Sequence, residues 1–331
     1  MTKVSVITLA YNSAPYIADT IKGVVRQKTD FPVQHIISDD CSTDNTYGIC
    51  QKWQRRYPHI VEPVRNERNV GLQANFMRAY ARCRGEYVAL CDGDDYWCDH
   101  RKLQMMVDYM DAHRDCAVAF HRVINYFEDK GTKSLSNGGQ KQIMQITDLA
   151  RSNTITNCSV LYRRANVPEL PEWIGEIKLC DYAMHILNAC HGYIRYFKRP
   201  MAVYRQRSSA EWSLQNLTDR EKKLNMALDV RKRLIDHLPA EQNAARELIR
   251  DAFTRFALAE VAFSRAHGLD DAAERLARRV MEVQPTWTQD QLEQALARTA
   301  NAARPTLGSH VMRWMKAARA AVSWFVPLPK P

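Results

Sequence analysis

Three carboxylates close a short apolar run. Tyr87-Val-Ala-Leu-Cys91 is followed by Asp92, Gly93, Asp94 and Asp95. The run is compact, holds a β-branched and an aromatic residue, and reads as a strand buried on both faces. Carboxylates at the carboxyl end of a parallel strand stand where open α/β sheets bind their ligands. Gly93 lets the backbone bend there, so Asp92 and Asp94 can face one centre. Clustered oxygen ligands suit a hard cation, Mn2+ or Mg2+, above all one shared with a diphosphate. The same residues also fit an acidic turn that caps the following helix.

Two further strand ends carry polar clusters. A strand over 4–9 gives way to Ala10-Tyr11-Asn12-Ser13, with Ser13 as N-cap of a helix beginning near Ala14-Pro15. Ile17, Ile21, Val24 and Val25 fall on one face of that helix. A second strand, 33–38, runs into Asp39-Asp40-Cys41-Ser42-Thr43-Asp44 and a helix to about Arg56. A third strand at 60–64, a turn at Asn69-Val-Gly71 and a helix over 72–83 lead to the strand before Asp92. This alternation predicts a mostly parallel sheet with helices on both faces. Its strands share one direction, so the three polar clusters gather along one edge, where a nucleotide-type ligand fits. Tyr11 can stack on or flank a base, Asp40 can accept from a base N–H, and Asp92 with Asp94 can hold ribose and a metal-bound diphosphate. Taken singly, Tyr11 and Asn12 fit an ordinary strand-to-helix turn, and Asp39-Asp40 fit helix-dipole and capping chemistry.

In this order and spacing, the segments 4–12 (VSVITLAYN), 37–44 (ISDDCSTD), 69–71 (NVG) and 89–97 (ALCDGDDYW) resemble family 2 glycosyltransferases of the GT-A fold. The resemblance covers about residues 1–215. It implies a Rossmann-like α/β domain, a nucleotide-sugar donor (a UDP-sugar first), Mn2+ or Mg2+ on an Asp-x-Asp motif, and transfer with inversion. Carried over by position, Thr8, Ala10 and Tyr11 line the uridine pocket and Asp40 meets the uracil. Asn69, Gly71 and Asn75 border the nucleotide, and Asn12 and Gly93 complete that set. Asp92 contacts ribose or metal, and Asp94 ligates the metal. Asp181 takes the place of the general base, although a residue near a helix start also fits a capping role. The family often has an acid before this base; here the position is Cys180. His185, one turn on, orients a substrate or is structural.

The segment 154–163 resembles the one below the family's acceptor site, and equally reads as an edge strand. The segment 204–213 matches a loop that in relatives often carries a His after Tyr-Arg; Gln206 or Arg207 stands there instead, while Trp212-Ser213 is present. Such a loop, with Trp212, would close over the diphosphate while Arg205 and Arg207 offset the leaving-group charge.

Around these sites, a helix over 102–113, a strand over 117–121 and a polar, hairpin-like excursion over 128–142 continue the first domain. From Thr218 the pattern is helical. Capping boxes stand at 218–221 and 288–291, Gly268 is a C′ residue, and Pro239, Pro285 and Pro305 are stops. The expected division is a catalytic domain over 1–215, an all-α extension over 216–305 and a basic tail over 306–331. The extension resembles one tetratricopeptide-type hairpin without a second copy. It is expected to pack on the catalytic domain or to mediate a homo-oligomer. The tail at 309–326 combines Trp314, Trp324 and Phe325 with Arg313, Lys316 and Arg319 and has no acid. That fits a helix in an anionic membrane interface, or a docking helix.

Composition narrows the class. The 331 residues carry a net charge of +10 and no apolar run of membrane-spanning length. Nine scattered cysteines form no Cys-x-x-Cys pair, and the N-terminus runs straight into strand pattern. These features are read as reduced core cysteines in a cytoplasmic protein. The charge suits a phosphorylated substrate or an anionic membrane; without a nucleic-acid-binding signature, no nucleic acid is expected. The expected activity is inverting transfer to a hydroxyl of a glycan or lipid-linked acceptor in capsule or lipopolysaccharide synthesis, at the inner face of the membrane. A nucleotidyltransferase would need a Gly-rich phosphate loop after the first strand, which is absent. A non-catalytic sugar- or membrane-binding scaffold is the other alternative.

Overall fold

Apolar runs that precede polar clusters are strands in the computed structural model, which describes residues 2–151, 153–178, 180–206 and 217–302. The chain divides into two compact units, residues 1–146 with 155–210, and residues 147–154 with 211–331.

The first unit begins β1 (Val4–Ala10), α1 (Ile17–Val25), β2 (Val33–Asp39), α2 (Thr46–Arg56), β3 (Val61–Arg65), α3 (Leu72–Tyr80) and β4 (Tyr87–Leu90). It continues with β5 (Tyr96–Trp97), α4 (Lys102–Ala112), β6 (Cys116–Phe127), β7 (Thr132–Leu135) and β8 (Ile143–Met144). After α5 (Ile146–Arg151), which from residue 147 on belongs to the second unit, come β9 (Leu161–Arg163), α6 (Cys180–Ala189) and β10 (Tyr193–Gln206). The ten strands make one sheet in the order β3-β2-β1-β4-β9-β6-β10-β5, with β7 added to β6 and β8 to β10.

The half of the sheet that carries the three polar clusters is wholly parallel, with Val4 facing Val33 on one side and Tyr87 on the other. Beyond β4 the sheet is mixed. β9 runs antiparallel between β4 and β6, β10 runs parallel to β6, and β5 antiparallel to β10. β9 is therefore interior, and the edge-strand reading of 154–163 does not hold. Alternation along β1 turns Val4 and Val6 into the core that holds Leu103, Met106 and Met110 of α4. The opposite face takes Ile7, and α3 lies against β1 and β2.

Two local expectations change. α1 starts at Ile17 because Ser13 anchors a turn first, its carbonyl accepting from the N–H of Tyr16 and of Ile17, each at 2.9 Å. Ser13's hydroxyl donates to the Tyr11 carbonyl instead of capping the helix. β6 runs on to Phe127, and the excursion folds back through Gly131 as the hairpin strand β7.

Lys102, the first residue of α4, is fully buried, and among the described residues its ammonium has no hydrogen-bond partner. It lies 3.9 Å from the centre of the Trp97 ring. Burial pulls its pKa down to about 7.

In the second unit, α7 (Leu217–His237), α8 (Asn243–Ala266), α9 (Asp270–Val283) and α10 (Gln289–Ala302) pack around α8, which touches the other three. Ile249, Phe253, Ala257 and Val261 recur every four residues along α8 and are buried, as are Leu276 and Val280 of α9. The capping box before α10 forms: Thr288 N–H donates to Gln291 Oε1 at 2.8 Å, and Gln291 N–H to Thr288 Oγ1 at 3.3 Å. The side chains of the box at 218–221, and the tail at 306–331, lie outside the described residues.

The buried lysine gives a stability test. The unfolded chain protonates Lys102 up to its ordinary pKa, while the fold disfavours the charge down to about 7. The fold is thus penalised as pH falls from about 10.5 towards 7, by an amount on the order of 3–5 kcal/mol at neutrality before any gain from the Trp97 ring. Lys102→Met is expected to stabilise the protein by about 2 kcal/mol at pH 7. The gain should shrink by pH 10.5; denaturant unfolding at both pH values checks it.

Candidate active site

The acidic turn is held from below by β1 and α1. The β1–β4 ladder continues past Leu90: Cys91 N–H donates to the Ile7 carbonyl and Gly93 N–H to the Leu9 carbonyl, both at 3.0 Å. A Cβ on Gly93 would stand 2.9 Å from the Leu9 carbonyl oxygen, so only glycine permits this approach. Thr20 of α1 donates its hydroxyl to the Asp95 carbonyl at 2.6 Å, with the Gly93 carbonyl at 3.2 Å. The three carboxylates then separate. Asp95 turns inward, 1% exposed, and accepts the Arg205 N–H at 2.9 Å; burial pushes its carboxyl well above the usual range. Asp92 and Asp94 remain half-buried at the strand end.

Asp92 accepts from Asn157 Nδ2 at 2.8 Å. Burial lifts its carboxyl to about 6, the Asn157 bond works against the rise, and nearby Asp94 and Asp181 add to it. Asp181, the second residue of α6, is half-buried, and burial raises its carboxyl as well. Asp94 and Asp181 thus both lie within electrostatic reach of Asp92. The hard oxygens of Asp92 and Asp94 and their mutual repulsion fit a divalent cation, Mn2+ or Mg2+. Among the described residues no three His, Cys, Asp or Glu side chains form a ready-made metal site. A cation on Asp92 and Asp94 would therefore need further ligands, such as diphosphate oxygens.

At the second strand end, Asp39 turns inward and accepts the Ser42 N–H at 3.1 Å, with Arg65 Nε at 3.4 Å. Asp40 gathers the loop before α3. Its Oδ1 accepts from Asn66 Nδ2 and Val70 N–H, both at 2.9 Å, and its Oδ2 from Gly71 N–H at 2.8 Å. Asn69 Oδ1 accepts the same Gly71 N–H at 3.1 Å. Gly71 has φ 85°, with open space where a side chain would stand. Ala10 is buried and accepts the Asp40 N–H at 2.9 Å, and Tyr11 beside it is 49% exposed. Asn12, at φ 48°, accepts Thr43 N–H at 2.9 Å through Oδ1. Tyr11, Asn69 and Gly71 thus lie along one rim, and Asp40, 4% exposed with both oxygens taken by these donors, supports it from beneath instead of presenting a free acceptor to a base.

Three further expected roles change with their surroundings. Thr8 is fully buried; its hydroxyl donates to the Cys91 carbonyl at 2.8 Å and accepts from His35 Nε2 at 2.8 Å, so it does not line an open pocket. Asn75 is also buried, accepting from Ser38 Oγ at 2.6 Å and donating to the Ser38 carbonyl at 3.0 Å, so it supports the rim from beneath. Arg205, expected beside a leaving diphosphate, donates to the Asp94 carbonyl at 3.0 Å and to Asp19 at 2.7 Å. Arg207 and Trp212 lie outside the described residues. His185 is fully buried against the Tyr162 hydroxyl, which gives it a structural place. Asn66 and Asn157 touch the site carboxylates without having been singled out. Their only trace in the sequence is an asparagine next to a turn and one among small hydroxylated residues.

Residues 5–168 match the family described as Glycosyl transferase family 2. An uncharacterized protein of Mycobacterium tuberculosis is 36% identical over 219 residues, which are 66% of this chain and 62% of that one, so the chain covers less than two thirds of its length. The putative teichuronic acid biosynthesis glycosyltransferase TuaG of Bacillus subtilis is 38% identical over 117 residues, 35% of this chain and 45% of its own. Among solved structures, Staphylococcus aureus TarS 1–349 in complex with UDP superposes with TM-score 0.59 at 18% identity, covering 91% of this chain and 88% of that one. That likeness extends to the fold.

The rim generates a direct test. Asp40→Asn would set an amide N–H against the Val70 or Gly71 N–H and leave one donor without an acceptor, at a cost of about 1–3 kcal/mol where the donor is shielded from water. Amide exchange at Val70 and Gly71 is expected to speed up on the order of tenfold or more, while exchange in β1 stays unchanged.

Proposed function

Because residues 5–168 carry a family 2 glycosyl transferase domain, we propose that the chain transfers a sugar from a nucleotide-sugar donor, UDP-linked in the first instance, to an acceptor hydroxyl with inversion. The observation that carries this reading is that Asp92 and Asp94, at the end of β4, and Asp181, at the start of α6, lie within electrostatic reach of one site, with Asp94 and Asp181 each raising the Asp92 carboxyl. Two carboxylates on a sheet's ligand edge suit a diphosphate and its cation, and a third from another element suits proton transfer.

Asp181 accepts the proton of the acceptor hydroxyl as its oxygen bonds to the anomeric carbon. The carbon–oxygen bond to the nucleoside diphosphate breaks on the opposite face, and its electron pair leaves with the diphosphate. Burial raises the proton affinity of Asp181, as a base requires. Tyr11 flanks the base, and the Asp40 loop with Asn69 and Gly71 frames it. Asp92 and Asp94 would hold Mn2+ or Mg2+, which supplies charge compensation for the diphosphate when bound.

The UDP bound by TarS supports the donor class, and the teichuronic acid biosynthesis in the name of TuaG supports a polysaccharide acceptor. Among the described residues no helix is long and apolar enough to cross a membrane. The basic tail at 309–326 is our candidate for reversible attachment to an anionic membrane face.

Calorimetry of the full chain with UDP, GDP, dTDP and CDP, with and without Mn2+, tests the donor site. We expect Mn2+-dependent UDP binding; binding of none would leave the scaffold reading in its place. Asp181→Asn should lower transfer by 10²-fold or more, in the range of a lost general base, and keep UDP binding. Asp94→Ala should lose both. Normal turnover by Asp181→Asn removes the base assignment. The full-length chain should sediment with anionic vesicles and a chain ending at Pro305 should not; equal sedimentation removes the tail's role.

A further inference from the structure

Arg205 sits at the carboxyl end of β10 with its side chain only 10% exposed. Its guanidinium donates through Nη1 to the Asp94 carbonyl at 3.0 Å and through Nη2 to Asp19 Oδ2 at 2.7 Å. Tyr16 and Tyr96 pack against it, their ring centres 5.1 and 4.7 Å from the guanidinium carbon. Its backbone N–H holds Asp95 Oδ1 at 2.9 Å. Tyr16 is tied in turn to β6's far end, donating its hydroxyl to Glu128 Oε2 at 3.0 Å.

We propose that Arg205 is a positioning residue: braced by Asp19 and the two tyrosines, it clamps the acidic turn and thereby sets the direction of the Asp94 carboxylate.

The argument is one of degrees of freedom. With Thr20 on the Gly93 and Asp95 carbonyls and Asp95 N–H on the Asp92 carbonyl, Arg205 supplies the contact that fixes the Asp94 peptide plane. A peptide plane held on both sides fixes the Cα–Cβ direction between its neighbours, and with it where a carboxylate reaches. Arginine suits the task because its planar fork donates in two directions while its faces stack on rings. An exposed arginine–aspartate pair contributes little; here the arginine is enclosed, and Asp19 keeps its charge compensated in the first turn of α1, where a negative charge is favoured. To meet a leaving diphosphate, the guanidinium would have to abandon Asp19 and the Asp94 carbonyl together. The clamp and the leaving-group role are therefore alternatives with different dependence on Asp19.

This inference rests on the transferase reading for its ligand, and its test separates the two. Full-length wild type, Asp19→Ala, Arg205→Lys, Arg205→Ala and the Asp19→Ala/Arg205→Ala double variant are titrated with UDP and Mn2+, with bound Mn2+ followed by its paramagnetic resonance line shape. Amide exchange over 93–96 is measured on the same samples. The clamp predicts that Asp19→Ala and Arg205→Lys each weaken Mn2+·UDP binding on the order of tenfold, about 1.4 kcal/mol. Both should alter the line shape and speed exchange at 94–96. The double variant should bind no more weakly than Arg205→Ala, because the two residues act as one unit. If Arg205→Ala does not fold, Asp19→Ala and Arg205→Lys decide. Binding and exchange in Asp19→Ala equal to wild type, with UDP binding lost when Arg205 is changed, would overturn the clamp and put the guanidinium on the diphosphate. If wild type binds no UDP, the donor reading fails, and the exchange arm alone decides the clamp: acceleration supports it and unchanged exchange removes it.

Discussion

A row of carboxylates on one sheet edge has to be held against its own repulsion. Parallel strands end in register, so the acids that follow β2 and β4 arrive at the same edge whether or not that arrangement is electrostatically comfortable. The fold meets this by dividing labour within each cluster. Asp39 and Asp95 turn inward and each accepts a backbone N–H, Asp40 is buried with both oxygens taken by the loop at 66–71, and Asp92 and Asp94 stay half-buried at the rim. The charge that survives is concentrated where burial and like neighbours raise proton affinity, as at Asp92. Such a site is unstable as a set of bare anions and comfortable beside a cation, which is the electrostatic signature expected of a place for a metal-bound phosphate.

The rest of the first unit reads as support for that edge. Asp40 fixes the loop at 66–71 with three donors, and Asn75 and Asn66 link the same loop to β2 from below. On the other flank, Asn157 joins Asp92 to the segment before β9, and the carbonyl of the next residue, Cys158, accepts the Trp97 indole N–H at 2.9 Å. Because β9 is inserted between β4 and β6, this segment is anchored by strands on both sides. An interior β9 is thus the reason Asn157 can be held near the acidic turn.

What was legible in the sequence followed from period and punctuation. The strands before Tyr11, Asp40 and Asp92, the helices between them, and the α-helical second part with its Gly268 and Thr288 signals are local patterns, and the chain adopts them. The family resemblance rested on the same segments. What the sequence hid was partnership. Nothing in a string of residues says that the Thr8 hydroxyl is used by His35 and Cys91, since those contacts cross 27 and 83 positions. Arg205 lies 186 positions from Asp19, so a charge expected to face a ligand is instead consumed within the fold. The antiparallel insertion of β9 was equally invisible, because a three-residue strand carries too little pattern to announce its neighbours.

Cys180 shows how such context changes the meaning of a departure from pattern. Read alone, the absence of an acid before Asp181 removes a supporting charge. In the fold, Cys180 lies within the field of both Asp181 and Asp92, and burial, then those charges, push its thiol well above the usual range. It is therefore neutral where the carboxylates titrate. An acid in its place would have added another negative charge to a group that already raises Asp92. It would also have made deprotonation of Asp181 harder, because burial alone already works against that step. A neutral thiol adds no charge at the start of α6, beside Asp181 and Asp92. The departure thus limits the anionic charge around Asp92 to that of Asp94 and Asp181.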